Sequence, residues 1–145
     1  MFKNILVAFD GSSHSYQAAK FSADLLKAFP GGNCTVITVL TFTSEEARFL
    51  GASDQEFESA RKYFAEKYFA ELQRYFQKAG VPFNTVIKQG DPVKEIIKYA
   101  GENNVDHIVL GPRGLGNIKG ALLGSVSGKI IHLAKCPVTL IKDQY

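Results

Sequence analysis

Cysteine is scarce in this 145-residue chain: Cys34 and Cys136 are the only two, 102 positions apart. That separation fits neither a CxxC redox pair nor a zinc knuckle, so both are expected to be small buried hydrophobes of a reducing compartment. Charge of one sign is also lacking. Seventeen Lys and Arg against 14 Asp and Glu leave a net +3, and the basic residues are spread through both halves, too diffusely for a nucleic-acid footprint. Long apolar runs are missing as well. Ile5–Phe9 is the longest near the start, too short for a signal-peptide core or a bilayer span, so neither a membrane nor nucleic acid is an expected partner and the default location is cytoplasmic. His14, His107 and His132 form no HExxH motif and no close pair, which argues against a protein-built metal site and gives no histidine a catalytic role. His14 lies near the first turn, His107 in a strand as a satisfied core or edge residue, and His132 on the last helix.

With 46% apolar and 21% charged residues, the chain has an ordinary globular composition, and its length leaves room for one core, a single domain over 1–145. Asn4–Phe9 reads as a strand buried on both faces, leaving the sheet at Asp10-Gly11-Ser12-Ser13. Ser12 or Ser13 caps a helix with Ala18, Phe21, Leu25, Leu26 and Phe29 at helical spacing, stopped by Pro30-Gly31-Gly32. Thr35–Leu40 is a second strand, and Thr41–Ala52 an irregular stretch. A capping box at Ser53–Glu56 starts a helix running to about Ala79, its face formed by Phe57, Phe64, Tyr68, Leu72, Tyr75 and Phe76, closed by Gly80-Val81-Pro82. This aromatic stripe is read as core rather than as a stacking platform.

Phe83–Lys88 supplies a third strand. Asp91 caps and Pro92 opens the next helix, which buries Val93, Ile96, Ile97 and Ala100. Asp106–Leu110 is a fourth strand, Ser125–Ala134 a last helix with Val126, Ile130, Ile131 and Leu133 apolar, and Pro137–Ile141 a fifth strand. Alternating strands and helices make the class α/β, a parallel sheet with helices on both faces. Ligands of such sheets bind beyond the carboxyl ends of the strands, which directs attention to the segments after Phe9, Leu40 and Leu110.

Gly111–Gly128 carries six glycines in eighteen positions. Bare backbone lets peptide N–H groups approach an anion, and Ser125 and Ser127 open a helix whose positive end favours phosphate. The dipole alone contributes only about 0.3–1 kcal/mol per charge, so affinity requires several N–H and hydroxyl donors together with Arg113. A turn that only lets the helix pack closely on the sheet is the bland alternative. The spacing is neither a Rossmann fingerprint, which needs a third glycine at position 119, nor a P-loop. Gly124-Ser125-Val126-Ser127-Gly128 places Val126 where a hydrolase nucleophile belongs. Asp10, at the carboxyl edge of a buried strand, is read as an acceptor for ribose hydroxyls in preference to a helix cap.

The segment does match G-x2-G-x9-G-[ST] through Gly111, Gly114, Gly124 and Ser125, and in this it resembles the ATP-binding signature of the universal stress protein family. Ile5–Ser12 with Asp10, Gly90-Asp91-Pro92, Asp106–Gly111 and Cys136-Pro137-Val138 fall where that family has equivalents, so the resemblance spans the chain. It implies a Rossmann-like, adenine nucleotide alpha hydrolase-like sheet of five parallel strands in the order 3-2-1-4-5, and a homodimer formed through the last strand. It further implies that Ala8, Phe9 and Asp10 lie near adenine and ribose, that Val39 and Leu40 line the adenine pocket, and that Gly111, Arg113 and Gly114 approach ribose and phosphates. Gly124, Ser125, Val126 and Ser127 would hold the phosphates of ATP, with or without Mg2+. Pro112 departs from the family's small polar residue and removes one N–H. No residue that would orient water for phosphoryl transfer is evident, so nucleotide occupancy is the expected output. The alternatives are a dimeric interaction protein whose site is vestigial, and a slow ATP hydrolase.

Overall fold

The computed structural model describes residues 2–41, 54–112 and 123–142. Five strands, β1 (Asn4–Ala8), β2 (Asn33–Leu40), β3 (Phe83–Gln89), β4 (His107–Leu110) and β5 (Val138–Leu140), form one parallel sheet in the order β3-β2-β1-β4-β5, the order that the resemblance implies. Helices α1 (Ser13–Ala28), α2 (Asp54–Phe64), α3 (Ala70–Ala79), α4 (Pro92–Glu102) and α5 (Ser125–Leu133) complete the layers.

Strand alternation divides the core. Ile5, Val7, Phe9, Cys34, Val36 and Val109 point to one face, where α1 and α3 cover them through Ala18, Ala19, Leu72 and Phe76. Leu6, Ile37, Ile108 and Leu110 point to the other, beneath Val93 and Ile96 of α4 and Ile130 of α5. Helices on both faces make β1 and β4 nearly unbroken apolar runs and β2 a β-branched and apolar one, which is why these strands are legible in the sequence.

Several expectations change in detail. α1 buries Ser15, Ala18, Ala19, Ser22, Ala23 and Leu26, whereas Phe29 is 57% exposed. Small residues let this helix approach the sheet closely, and the Ser22 hydroxyl donates back to the Ala18 carbonyl at 2.9 Å. The expected single helix to Ala79 is interrupted by a π-helical turn, Ala65–Phe69, between α2 and α3. It ends as expected, with Gly80 left-handed at φ 70°. Ile131 and Leu133 of α5 are exposed, and Cys136 is half-buried rather than buried. Burial pushes the Cys34 thiol pKa up, so it acts as a hydrophobe. Ser53 and all of Thr41–Ala52 except Thr41 lie outside the described residues. Asp91 caps α4 as expected, accepting from the Lys94 amide at 2.9 Å with Pro92 following.

At the amino edge of the sheet, His107 Nε2 lies 2.6 Å from Thr139 Oγ1 of β5, its ring packs against Phe2, and buried Nδ1 has no partner among the described residues. Burial lowers the His107 pKa below its ordinary 6.5, against the opposing pull of Asp106. The fold therefore prefers the neutral ring. Its contribution to stability is complete above that ordinary value and is lost as pH falls below it. The urea midpoint of the protein is expected to drop between about pH 7 and about pH 5 more steeply than that of His107→Gln; equal slopes would contradict this.

Candidate functional site

β1 is the point at which the chain reverses its direction across the sheet: β2 and β3 lie to one side, β4 and β5 to the other. The crevice outside the carboxyl ends of β1 and β4 is where an open α/β sheet takes a ligand. The registers Val7↔Val36 and Val7↔Val109 bring the three expected segments to one rim. Asp10 is three residues beyond Val7, level with Val39 and with Pro112.

The rim is built from rigid parts. The Phe9 amide donates to the Ile37 carbonyl at 2.9 Å, and the buried Thr38 hydroxyl donates to the Phe9 carbonyl at 2.9 Å. Thr38 was not singled out in the sequence, where a threonine in a β-branched strand carries no special signal. Asp10 Oδ1 accepts from the Ser12 amide at 2.9 Å, and Ser12 Oγ in turn accepts from Ser15 N at 3.3 Å as the cap of α1. Asp10 thus shapes the turn, and the helix cap itself is Ser12. Val39 and Leu40 are half-buried at the end of β2, and the Leu40 carbonyl is held by the Gly90 amide at 3.0 Å.

Beyond β4, the carbonyl of buried Pro112 accepts from the Gly124 amide at 2.6 Å and from the Ser127 hydroxyl at 2.5 Å. Pro112, which has no N–H to donate, supplies the acceptor that fixes α5 to the end of β4. Ser127 is buried, its hydroxyl hydrogen committed to Pro112. What Ser127 leaves without a partner among the described residues is its backbone amide. Gly124 is the N-cap, with no side-chain cap bond and no acidic residue in the first turn. The first intrahelical bond is Gly128 N to Gly124 O at 3.0 Å, and among the described residues none accepts from the amides of Ser125, Val126 or Ser127. Three N–H groups at a positive helix end therefore lie at the rim. Arg113 and Gly114 lie outside the described residues.

One wall of the rim is aromatic. Phe9 meets Tyr16 edge-on at 5.0 Å and packs against Phe64, Tyr68 and Phe69. Burial, reinforced by the Glu71 carboxylate, pushes the Tyr16 phenol up to about 12, so it is a neutral hydrogen-bonding group at physiological pH. No cluster of three or more metal-ligating side chains occurs among the described residues, and no helix among them is long and apolar enough to cross a membrane.

The arrangement defines an open, parallel α/β protein with three helix-start amides unpartnered among the described residues near the switch point of its sheet. A family model described as the Universal stress protein family matches residues 1–142, and the chain belongs to that family. A universal stress protein from Thermus aquaticus is 34% identical over 143 residues, covering 98% of this chain and all of that protein. Protein YxiE of Bacillus subtilis is 30% identical, again covering 98% of this chain and all of the relative. Among solved structures, protein MJ0577 superposes with a TM-score of 0.81 at 26% identity, over 100% of this chain and 99% of that one. The fold is shared too by a universal stress protein in complex with cAMP (TM-score 0.66, 22% identity, 96% and 95% coverage) and by an Arabidopsis family member with AMP bound (TM-score 0.67, 21% identity, 98% and 92% coverage).

Proposed function

We propose that this single domain is a nucleotide-responsive universal stress protein that binds ATP, with occupancy rather than turnover as its output. The observation that carries this reading is the set of amides at Ser125, Val126 and Ser127, left without partners among the described residues at the edge where open sheets hold ligands. The phosphates lie on these amides, with Gly111 and Gly114 allowing close approach and Arg113 adding charge. Asp10 accepts from the ribose hydroxyls, and Ala8, Phe9, Val39 and Leu40 enclose the base. Mg2+, where it enters with ATP, would offset phosphate charge. The two family structures holding cAMP and AMP support an adenine nucleotide as the ligand.

Hydrogen bonds to charged groups are worth about 1.5–3 kcal/mol each. Three of them contribute about 5–9 kcal/mol before the costs of association are subtracted, so burial of the base and the charge of Arg113 have to supply the remainder. The unit that responds is a cytoplasmic homodimer. β5 is the outer strand of the sheet, its only partner among the described residues being β4, and pairing with a second copy would satisfy its open edge.

Calorimetric titration of nucleotide-stripped protein tests the reading. ATP is expected to bind and to raise the thermal midpoint, and adenosine to bind far more weakly. Absence of both heat and thermal shift at millimolar ATP would overturn it.

A further inference from the structure

The π-helical turn between α2 and α3 serves a purpose that a regular helix does not meet. Phe64, Tyr68 and Phe69 all pack on Phe9, with centroid separations of 6.2, 6.1 and 6.2 Å. They are related as i, i+4 and i+5. An α-helix carries the i+5 side chain well away from the i position, whereas the wider i→i+5 turn lets i+4 and i+5 flank it. Phe69 fills the core at 7% exposure. Tyr68, half-buried, is left over the rim.

There its ring meets Gly11. A Cβ built on Gly11 would lie 3.0 Å from Tyr68 Cε1 and Cζ and 3.4 Å from the hydroxyl. Gly11 has φ +85°, a left-handed conformation that glycine adopts freely and leaves as freely. It sits between Asp10 and Ser12, whose carboxylate-to-amide bond orients the Asp10 side chain. The Lys67 ammonium lies 5.1 Å from the Tyr68 ring centroid and 5.6 Å from that of Tyr63. The ring is thus packed among Phe9, Tyr16 and Phe64, with Cε1 and Cζ against Gly11.

We infer that Tyr68 is a positioning residue for the ligand site: its ring blocks rotation of the Gly11 backbone and so holds the Asp10 carboxylate in its ligand-ready direction. The inference rests on the nucleotide reading above for its functional consequence, and on Gly11 packing alone for its structural one. Tyr68 itself touches no ligand. Its hydroxyl is dispensable; its ring is not.

The test compares the full-length protein with Tyr68→Phe, Tyr68→Leu and Tyr68→Ala, using calorimetric titration with ATP and amide hydrogen exchange at Gly11 and Ser12 without nucleotide. Tyr68→Ala is expected to weaken ATP binding about tenfold and to speed Ser12 exchange by a similar factor, while Tyr68→Phe restores both. Tyr68→Leu keeps bulk without the planar ring and is expected to fall between them, which keeps the test readable should the alanine variant not fold. Unchanged Ser12 exchange in the leucine and alanine variants would overturn the positioning role. If the parent protein bound no ATP, the nucleotide reading would fail while the exchange data still decided what Tyr68 does.

Discussion

Ser125→Asp is expected to abolish ATP binding at millimolar nucleotide while leaving the thermal midpoint unchanged or slightly higher. Ser125 is exposed at the first position of α5, where a carboxylate complements the helix dipole by about 0.3–1 kcal/mol. The same carboxylate would stand where the proposed reading puts the phosphates. Two like charges about 4 Å apart cost about 4 kcal/mol in a partly screened environment, which is three orders of magnitude in affinity. Ser125→Pro separates amide from charge. Proline is tolerated at a first helical position, and Gly124, at φ −70° and ψ 164°, already has the extended conformation that a following proline demands. It removes one N–H at small structural cost and is expected to weaken ATP by about ten- to a hundredfold, whereas Ser125→Ala, which retains the amide, changes little. Loss of binding in the alanine variant equal to that in the proline variant would point to the hydroxyl and contradict the amide account.

The largest effect on stability is expected at Gly32. A Cβ there would overlap the Phe2 carbonyl oxygen and lie 2.6 Å from Leu26 Cδ2 and 3.2 Å from Lys3 Cα. Backbone cannot yield as a flexible side chain does, and the neighbouring Asn33 amide is tied to the Lys3 carbonyl at 2.8 Å. Gly32→Ala is therefore expected to cost about 3 kcal/mol, lowering the thermal midpoint by about 10 °C. Gly101 gives the opposite sign. It lies in α4 with nothing within 4 Å of its Cβ position, so Gly101→Ala is expected to stabilise by about 0.5–1 kcal/mol through helix propensity. Equal thermal midpoints for the two variants would contradict the close-packed hinge before β2.

How much of this was legible in the sequence depends on the range of the forces involved. Ile5–Phe9 followed by Asp10-Gly11-Ser12 announces a doubly covered strand and a capped helix, because burial on both faces and capping act within a few residues. Asp91-Pro92 is equally local. The π turn was hidden because Phe64, Tyr68, Leu72 and Phe76 fit an α-helical stripe; only Phe69 breaks the period, and its partner Phe9 is 60 positions away. The exposure of Phe29, Ile131 and Leu133 likewise follows from which helix face meets the sheet.

At the site, Asp10, Gly111, Gly124 and Ser125 stand out because glycine and short polar residues mark close backbone approach. Pro112 and Ser127 show in the sequence only the donors they lack or carry. Their actual bond, between a proline carbonyl and a serine hydroxyl, is fixed by how α5 docks on β4, which no local pattern encodes. Thr38, holding the Phe9 carbonyl, was invisible for the same reason.

The central claim is that main-chain amides at the start of α5 receive the phosphates. Amide NMR spectra of the nucleotide-free protein, recorded on addition of ATP and, separately, of adenosine, test it most directly. The account predicts that the Ser125, Val126 and Ser127 amides show the largest shifts with ATP and little movement with adenosine. Saturating ATP that leaves those three amides unmoved, or adenosine that moves them as far, would contradict it.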